Sequence, residues 1–188
     1  MLGAVLSFAA MAVAVRELQR HMGSFEIVLL RSVVMLVLAI AMLPRAGLAA
    51  LRTRRIHLHF GRNLIHLLGQ ILWVYSIGAL TLATVFAIEF TMPVWTAILA
   101  AIFLHERLTA PRLVQLALGL AGVLIILRPG ASALQPAALV MLAGAFCFAV
   151  QMIGTKRLAA TESPLAVLFW MALIQSPEIG RASCRERV

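Results

Sequence analysis

The chain has 188 residues, 63% of them hydrophobic, with a mean hydropathy of +1.01. Soluble domains run at about 45–50% apolar, so a water-soluble fold is excluded and the bilayer becomes part of the structure. The formal charge of +9 comes from fifteen Arg and one Lys against seven Glu and no Asp. Most of these charges sit in short connections between apolar runs, and they form no extended basic face with interleaved aromatics, which excludes a nucleic-acid partner.

Taken in chain order, the apolar runs predict helices at 1–15, 27–44, 61–80, 82–104, 113–127 and 134–153, with a seventh starting at Pro164. The first run lacks the basic n-region and cleavage site of a secretory signal and is read as a transmembrane helix. At about fifteen residues it is short, so it either continues past Arg16 toward Leu18 or begins upstream of Met1. The seventh run, PLAVLFWMALIQ, holds twelve residues before polar sequence begins. At about 1.5 Å per residue that is too short to cross a bilayer core.

Breakers mark the connections: Pro44 with Gly47, Pro111, Pro129-Gly130 and Ser163-Pro164. Basic residues divide unequally among them. Loops after helices two, four and six hold Arg45, Arg52, Arg54, Arg55, Arg107, Arg112, Lys156 and Arg157, whereas those after helices one, three and five hold only Arg16, Arg20 and Arg128. The positive-inside rule therefore puts the even loops and the N-terminus in the cytoplasm. Helix five carries a small-residue patch, Ala117, Gly119, Ala121 and Gly122, suited to close packing.

Ionisable groups at membrane depth cost about 2.5–3.5 kcal/mol on insertion scales, so each needs a reason. Arg31 and Glu89 both fall ~6 Å outward of their helix midpoints. An Arg31–Glu89 ion pair lining an internal cavity is one reading; Arg31 snorkelling to the headgroups with Glu89 solvated in a crevice is the other. In helix three, Arg62, His66 and Gln70 recur at four-residue intervals, with Asn63 and Trp73 on the same side, giving one polar-aromatic stripe that must face protein or water. Arg62 is read as a snorkelling anchor near the cytoplasmic end, and His66 as either a proton-sensitive group or a hydrogen-bonding one. Helix four places Met92, Pro93 and Thr96 on the Glu89 face. Pro93 predicts a kink there, serving either a moving solute-lined helix or a merely bent one.

Only Cys147 and Cys184 occur, with no CxxC pair, so neither a disulfide framework nor a metal site is predicted, and Cys147 reads as a packing residue. The sequence holds no GxSxG, HExxH, Walker A or paired Asp, so no enzyme chemistry and no cofactor are expected. The last eleven residues, 178–188, break from an apolar helix into Arg-rich sequence; back-translated, they resemble a short-read sequencing adapter, and they are read as an artefact, the other reading being a genuine basic tail.

Several ordered segments resemble the EamA-like branch of the drug/metabolite transporter superfamily. They are Phe25-Glu26-Ile27 with Arg31-Ser32, the stretch from Leu82-Ala83 to Pro93, Glu106-Arg107-Leu108-Thr109, and Gly122-Val123-Leu124-Ile125 followed by Arg128-Pro129-Gly130. The resemblance covers Met1 to about Gln175. It implies an all-α integral membrane protein of ten helices in two five-helix repeats of inverted topology, with a central solute cavity opened alternately to either side of an inner membrane. Residues 1–129 then form the first repeat and 130–177 the truncated start of the second. On this reading Arg31, Asn63, His66, Gln70, Trp73, Glu89, Pro93 and Thr96 face the solute pathway, and the partners are the lipid bilayer and a small solute. Proton coupling or exchange, and a second copy of the chain, stay open. The alternatives are a membrane assembly subunit, whose helix-three stripe would pack dry, and a lipid-modifying enzyme.

Overall fold

The structure is a computed structural model that describes residues 2–47, 51, 53, 55–106, 109–127 and 135–186. Its helices are α1 (Leu2–Leu18), α2 (Ser24–Ala46), α3 (Ile56–Ala79), α4 (Leu82–Glu89), α5 (Met92–Phe103), α6 (Ala110–Leu127), α7 (Pro136–Ala159) and α8 (Pro164–Glu186), and the described residues include no strand. The predicted all-α polytopic bundle is what the chain forms. Arg107, Leu108, Arg128-Pro129-Gly130, Arg52, Arg54 and Leu134 lie outside the described residues, as do the side chains of Arg45 and of residues 178–188.

Local chemistry fixes the helix starts. The Glu26 carboxylate accepts from the Gly23 backbone N–H at 3.3 Å, Thr81 Oγ1 accepts from Thr84 N–H at 3.3 Å, and Ser163 Oγ accepts from Ala166 N–H at 3.1 Å. Each occupies a donor that has no partner within its own helix. Ser24–Pro44, Leu82–Phe103 and Pro136–Ala159 are long and apolar enough to cross a membrane, and Ala110–Ile125 and Pro164–Gln175 are shorter apolar helices. Leu30, Val33, Val34, Val37 and Leu38 of α2 stand exposed on one side, a surface suited to lipid and unsuited to water. α1 continues past Arg16 to Leu18. In α8 the helical backbone runs on beyond Gln175 although the apolar run stops there.

One expectation needs correction. The run 82–104 is two helices, α4 and α5, separated at Phe90–Thr91. Pro93 lacks the N–H that would bond the Glu89 carbonyl four residues back, and it sits in the first turn of α5, where a missing donor costs least. The chain therefore restarts its helix instead of only bending, and Glu89 becomes the last residue of α4.

The bundle is organised around α3. α7 packs along it most extensively and α8 packs on α2. Glycine allows the α3–α7 approach: a Cβ on Gly69 would stand 3.2 Å from Cys147 Cβ and from the Phe148 ring, and one on Gly144 would stand 3.4 Å from Leu72 Cβ. Cys147 thus lies in the packed seam. The C-terminal end of α1 is tied to α3 by Arg16, which donates to the Leu80 carbonyl at 2.5 Å, and by Gln19, which donates to the Val74 carbonyl at 2.6 Å. Ala12, Val15, Val28, Trp73, Ile77, Val85 and Met141 form the apolar core between these helices.

Candidate functional site

The helix-three stripe is buried, as its amphipathic spacing requires: Arg62, Asn63, His66, Gln70 and Trp73 all face the interior. What covers its first part is α7 and α8. Arg62 Nε donates to Thr155 Oγ1 at 2.7 Å and its Nη1 to Asn63 Oδ1 at 2.8 Å. Arg62 is 7% exposed, so it is a fixed member of a hydrogen-bonded network and not the snorkelling anchor expected from its position. The reason is that α7 leaves room for its stem at Gly154, where a Cβ would meet Arg62 Cβ at 3.3 Å. Asn63 Nδ2 donates to the Trp170 carbonyl at 3.3 Å, and Gln175 Nε2 lies 2.9 Å from His66 Nδ1 and 3.3 Å from the Asn63 carbonyl. Thr155, Trp170 and Gln175 are contributors that the sequence reading missed. Gln175 was findable as the polar residue ending the last apolar run, but its partner was not.

Arg31 turns toward the same layer. With Ser32, His66, Gln70 and Gln175 it lines a space of about 10 Å³, roughly the room of one water molecule. Glu89 lies elsewhere. Its Oε2 accepts from Trp73 Nε1 at 2.8 Å, and no Arg31–Glu89 ion pair forms among the described residues. Equal predicted depth did not make equal facing.

Glu89 opens into a cavity of about 450 Å³ lined by Phe8 and Ala9 of α1, Phe86 of α4, Phe90, and Met92 and Pro93 of α5. Phe8 packs tilted against Trp73 at 5.9 Å and against Phe86 at 5.7 Å between ring centroids. Phe8 was not singled out from the sequence. Thr96 lines a separate space of about 460 Å³ with Arg112, Gln115, Gly119 and Met152, and the two spaces share Phe90, Met92 and Pro93 at the helix break. The eight residues expected on one pathway are therefore distributed over three places: the network on α3, the small space at Arg31, and the pair of cavities flanking Pro93. Gln70 and Glu89 line different spaces.

A long helix pair broken beside a carboxylate, with a buried polar layer next to it and apolar faces around it, marks a multi-pass helical membrane protein. The EamA-like transporter family matches residues 1–128, and the chain belongs to that family. It is 28% identical over 170 residues to an S-adenosylmethionine uptake transporter of Rickettsia conorii, covering 90% of this chain and 58% of that protein. It is 30% identical over 179 residues to a riboflavin transporter of Brucella anthropi, covering 94% and 63%. A riboflavin transporter of Vibrio cholerae is 25% identical over 181 residues, covering 94% and 61%. The chain thus spans about three fifths of the length of these relatives. No solved structure matches it.

Proposed function

We propose that this chain belongs to a secondary transporter that moves a small metabolite or drug-like solute across the inner membrane by alternating access, and that it is not an enzyme. One observation carries the proposal: a carboxylate at membrane depth, Glu89, stands at a break in a spanning helix and opens into a cavity of about 450 Å³. Discontinuous helices at the midplane are where secondary transporters place solute and coupling-ion sites. The relatives named for S-adenosylmethionine and riboflavin support a small solute.

Residues 1–129 act as the first five-helix repeat and 130–177 as the start of an inverted second. The packing of α8 on α2 supports this, since each is the second helix of its unit. The N-terminus is cytoplasmic by the distribution of loop arginines. Glu89, Trp73, Pro93 and Thr96 flank the solute, while Arg31, Asn63, His66 and Gln70 form the polar layer that must rearrange for passage. The test is flux of S-adenosylmethionine and riboflavin into proteoliposomes holding the full-length parent, as wild type, Glu89→Gln and Arg31→Ala. Both variants should lose at least about tenfold in flux, the effect of a single interaction of about 1.4 kcal/mol. Unchanged flux in both removes their roles.

A second reading, a non-transporting assembly subunit, is favoured by one observation: the polar layer is closed by direct hydrogen bonds to α7 and α8. It expects no flux of any solute from a correctly folded parent.

A further inference from the structure

We infer that the Glu89 cavity is a subsite for a flat aromatic group carrying positive charge. The inference rests on the transporter reading and adds to it the chemical class of the solute.

The lining divides into two kinds of surface. Phe8, Phe86 and Phe90 offer aromatic rings, Met92 and Pro93 offer apolar surface, and Glu89 is the ionisable side chain among the residues that line the cavity. Phenyl faces carry negative electrostatic potential, so they attract cations and disfavour anions. A carboxylate adds to the same preference. An apolar neutral solute would be served as well by the rings alone, without the cost of holding a carboxylate at membrane depth.

The geometry leaves the carboxylate available. Trp73 occupies Oε2 at 2.8 Å, while Oε1 has no hydrogen-bond partner among the described residues. Trp73 in turn is held by Phe8, whose ring also packs on Phe86. One wall therefore orients the acid and a second wall supplies aromatic surface, with Phe8 belonging to both. At about 450 Å³ the space accommodates a fused two-ring system and excludes nothing smaller.

Equilibrium binding to the full chain in phosphatidylcholine nanodiscs tests this, with empty nanodiscs as the partition control. Three probes of one shape are compared: N-methylquinolinium as the cation, 1-methylnaphthalene as the neutral isostere and 1-naphthoate as the anion. The cation should bind about tenfold or more tighter than the isostere, the scale of a desolvated cation–π contact with its counter-ion, and the anion should bind most weakly. Glu89→Gln, which keeps an acceptor for Trp73, should abolish the preference between cation and isostere. Trp73→Phe, which keeps the carboxylate, should retain it. Equal binding of cation and isostere by the wild-type chain overturns the inference without any variant. So does a cation preference that survives Glu89→Gln, or a folded chain with no saturable cation binding, the result expected if another helix of the protein seats in this groove. Flux through the parent fails separately: transport with no preference for cations removes this inference alone, and cation binding without flux removes the transporter reading alone.

Discussion

His59 of α3 and Glu162 of the turn between α7 and α8 meet with Nε2 and Oε2 at 2.5 Å, both side chains withdrawn from solvent at 0% and 5% exposure. Thr53 Oγ1 donates to the other Glu162 oxygen at 2.5 Å, and the Trp170 ring packs against His59 at 6.3 Å between centroids. Two stretches far apart in sequence are joined at one point: the start of α3 with its approach, and the α7–α8 turn. The pair is the polar clasp that holds the α7–α8 hairpin to the start of α3.

Removing one partner of a buried hydrogen bond leaves a polar atom short of a partner, at a cost of about 1–3 kcal/mol. His59→Ala and Glu162→Ala should each lower the thermal unfolding temperature of the chain in nanodiscs, as measured by circular dichroism. The double substitution should cost less than the sum of the two, because both single changes remove the same hydrogen bond. Additive losses would show that the two side chains do not depend on one another.

Glu106, between α5 and α6, pairs with Lys156 and with Arg112, the latter at 3.5 Å. The hydrogen bond from Lys156 is the main cause holding its carboxyl below the ordinary 4.5, with the Lys156 and Arg112 charges adding to it and partial desolvation opposing. A depressed carboxylate contributes stability that is present above its unfolded value and is lost as pH falls through its folded value. Thermal unfolding of Glu106→Gln should therefore lie below wild type at neutral pH and converge with it as pH drops through and below 4.5. Salt should narrow the neutral-pH gap, since the group is near the surface. A gap that persists in acid would assign the effect to packing.

Periodicity and composition made part of this architecture legible in the sequence. Long apolar runs marked the helices, and a four-residue recurrence through Arg62, His66 and Gln70 marked the buried face of α3. Rotation about the helix axis and long-range partners were beyond such patterns. Arg31 and Glu89 share a depth, yet α2 turns Arg31 toward His66 while the break at Phe90–Thr91 turns Glu89 toward Phe8. Pro93 announced a disruption, but whether the helix bends or restarts depends on packing against α7 and α6 that no local pattern encodes. His59 and Glu162 stand 103 positions apart, so nothing in either neighbourhood announces the other.

The α3–α7 seam yields a packing prediction with an internal control. At Gly69 an added Cβ would stand 3.2 Å from Cys147 Cβ and the Phe148 ring, so Gly69→Leu must push the helices apart, whereas one at Gly119 of α6 would have nothing within 4 Å. Overpacking of this kind costs about 1–3 kcal/mol. Gly69→Leu should lower the unfolding temperature and Gly119→Leu should leave it within error. Equal effects at the two positions would mean that α7 is not held against α3 as described.

Arg62 separates a fixed network from a snorkelling anchor by a conservative change. A side chain that only reaches for headgroups tolerates Lys, because the ammonium keeps the charge and the stem keeps its length. A guanidinium that spans Thr155 Oγ1 and Asn63 Oδ1 does not, because one ammonium nitrogen cannot reproduce the fork of two separate N–H donors. Thr155 is committed on its other side, donating to the Gln151 carbonyl at 3.0 Å and accepting from Gln151 Nε2 at 3.0 Å, so it cannot turn to meet a shorter donor. Arg62→Lys should therefore cost about 1.5–3 kcal/mol, the range for a hydrogen bond to a charged group. The loss should fall to nearly nothing in a chain already carrying Thr155→Val and Asn63→Leu, where the two acceptors are gone. Thermal unfolding of the four combinations gives the coupling directly; a Lys variant as stable as wild type would return Arg62 to the role of an anchor at the membrane surface.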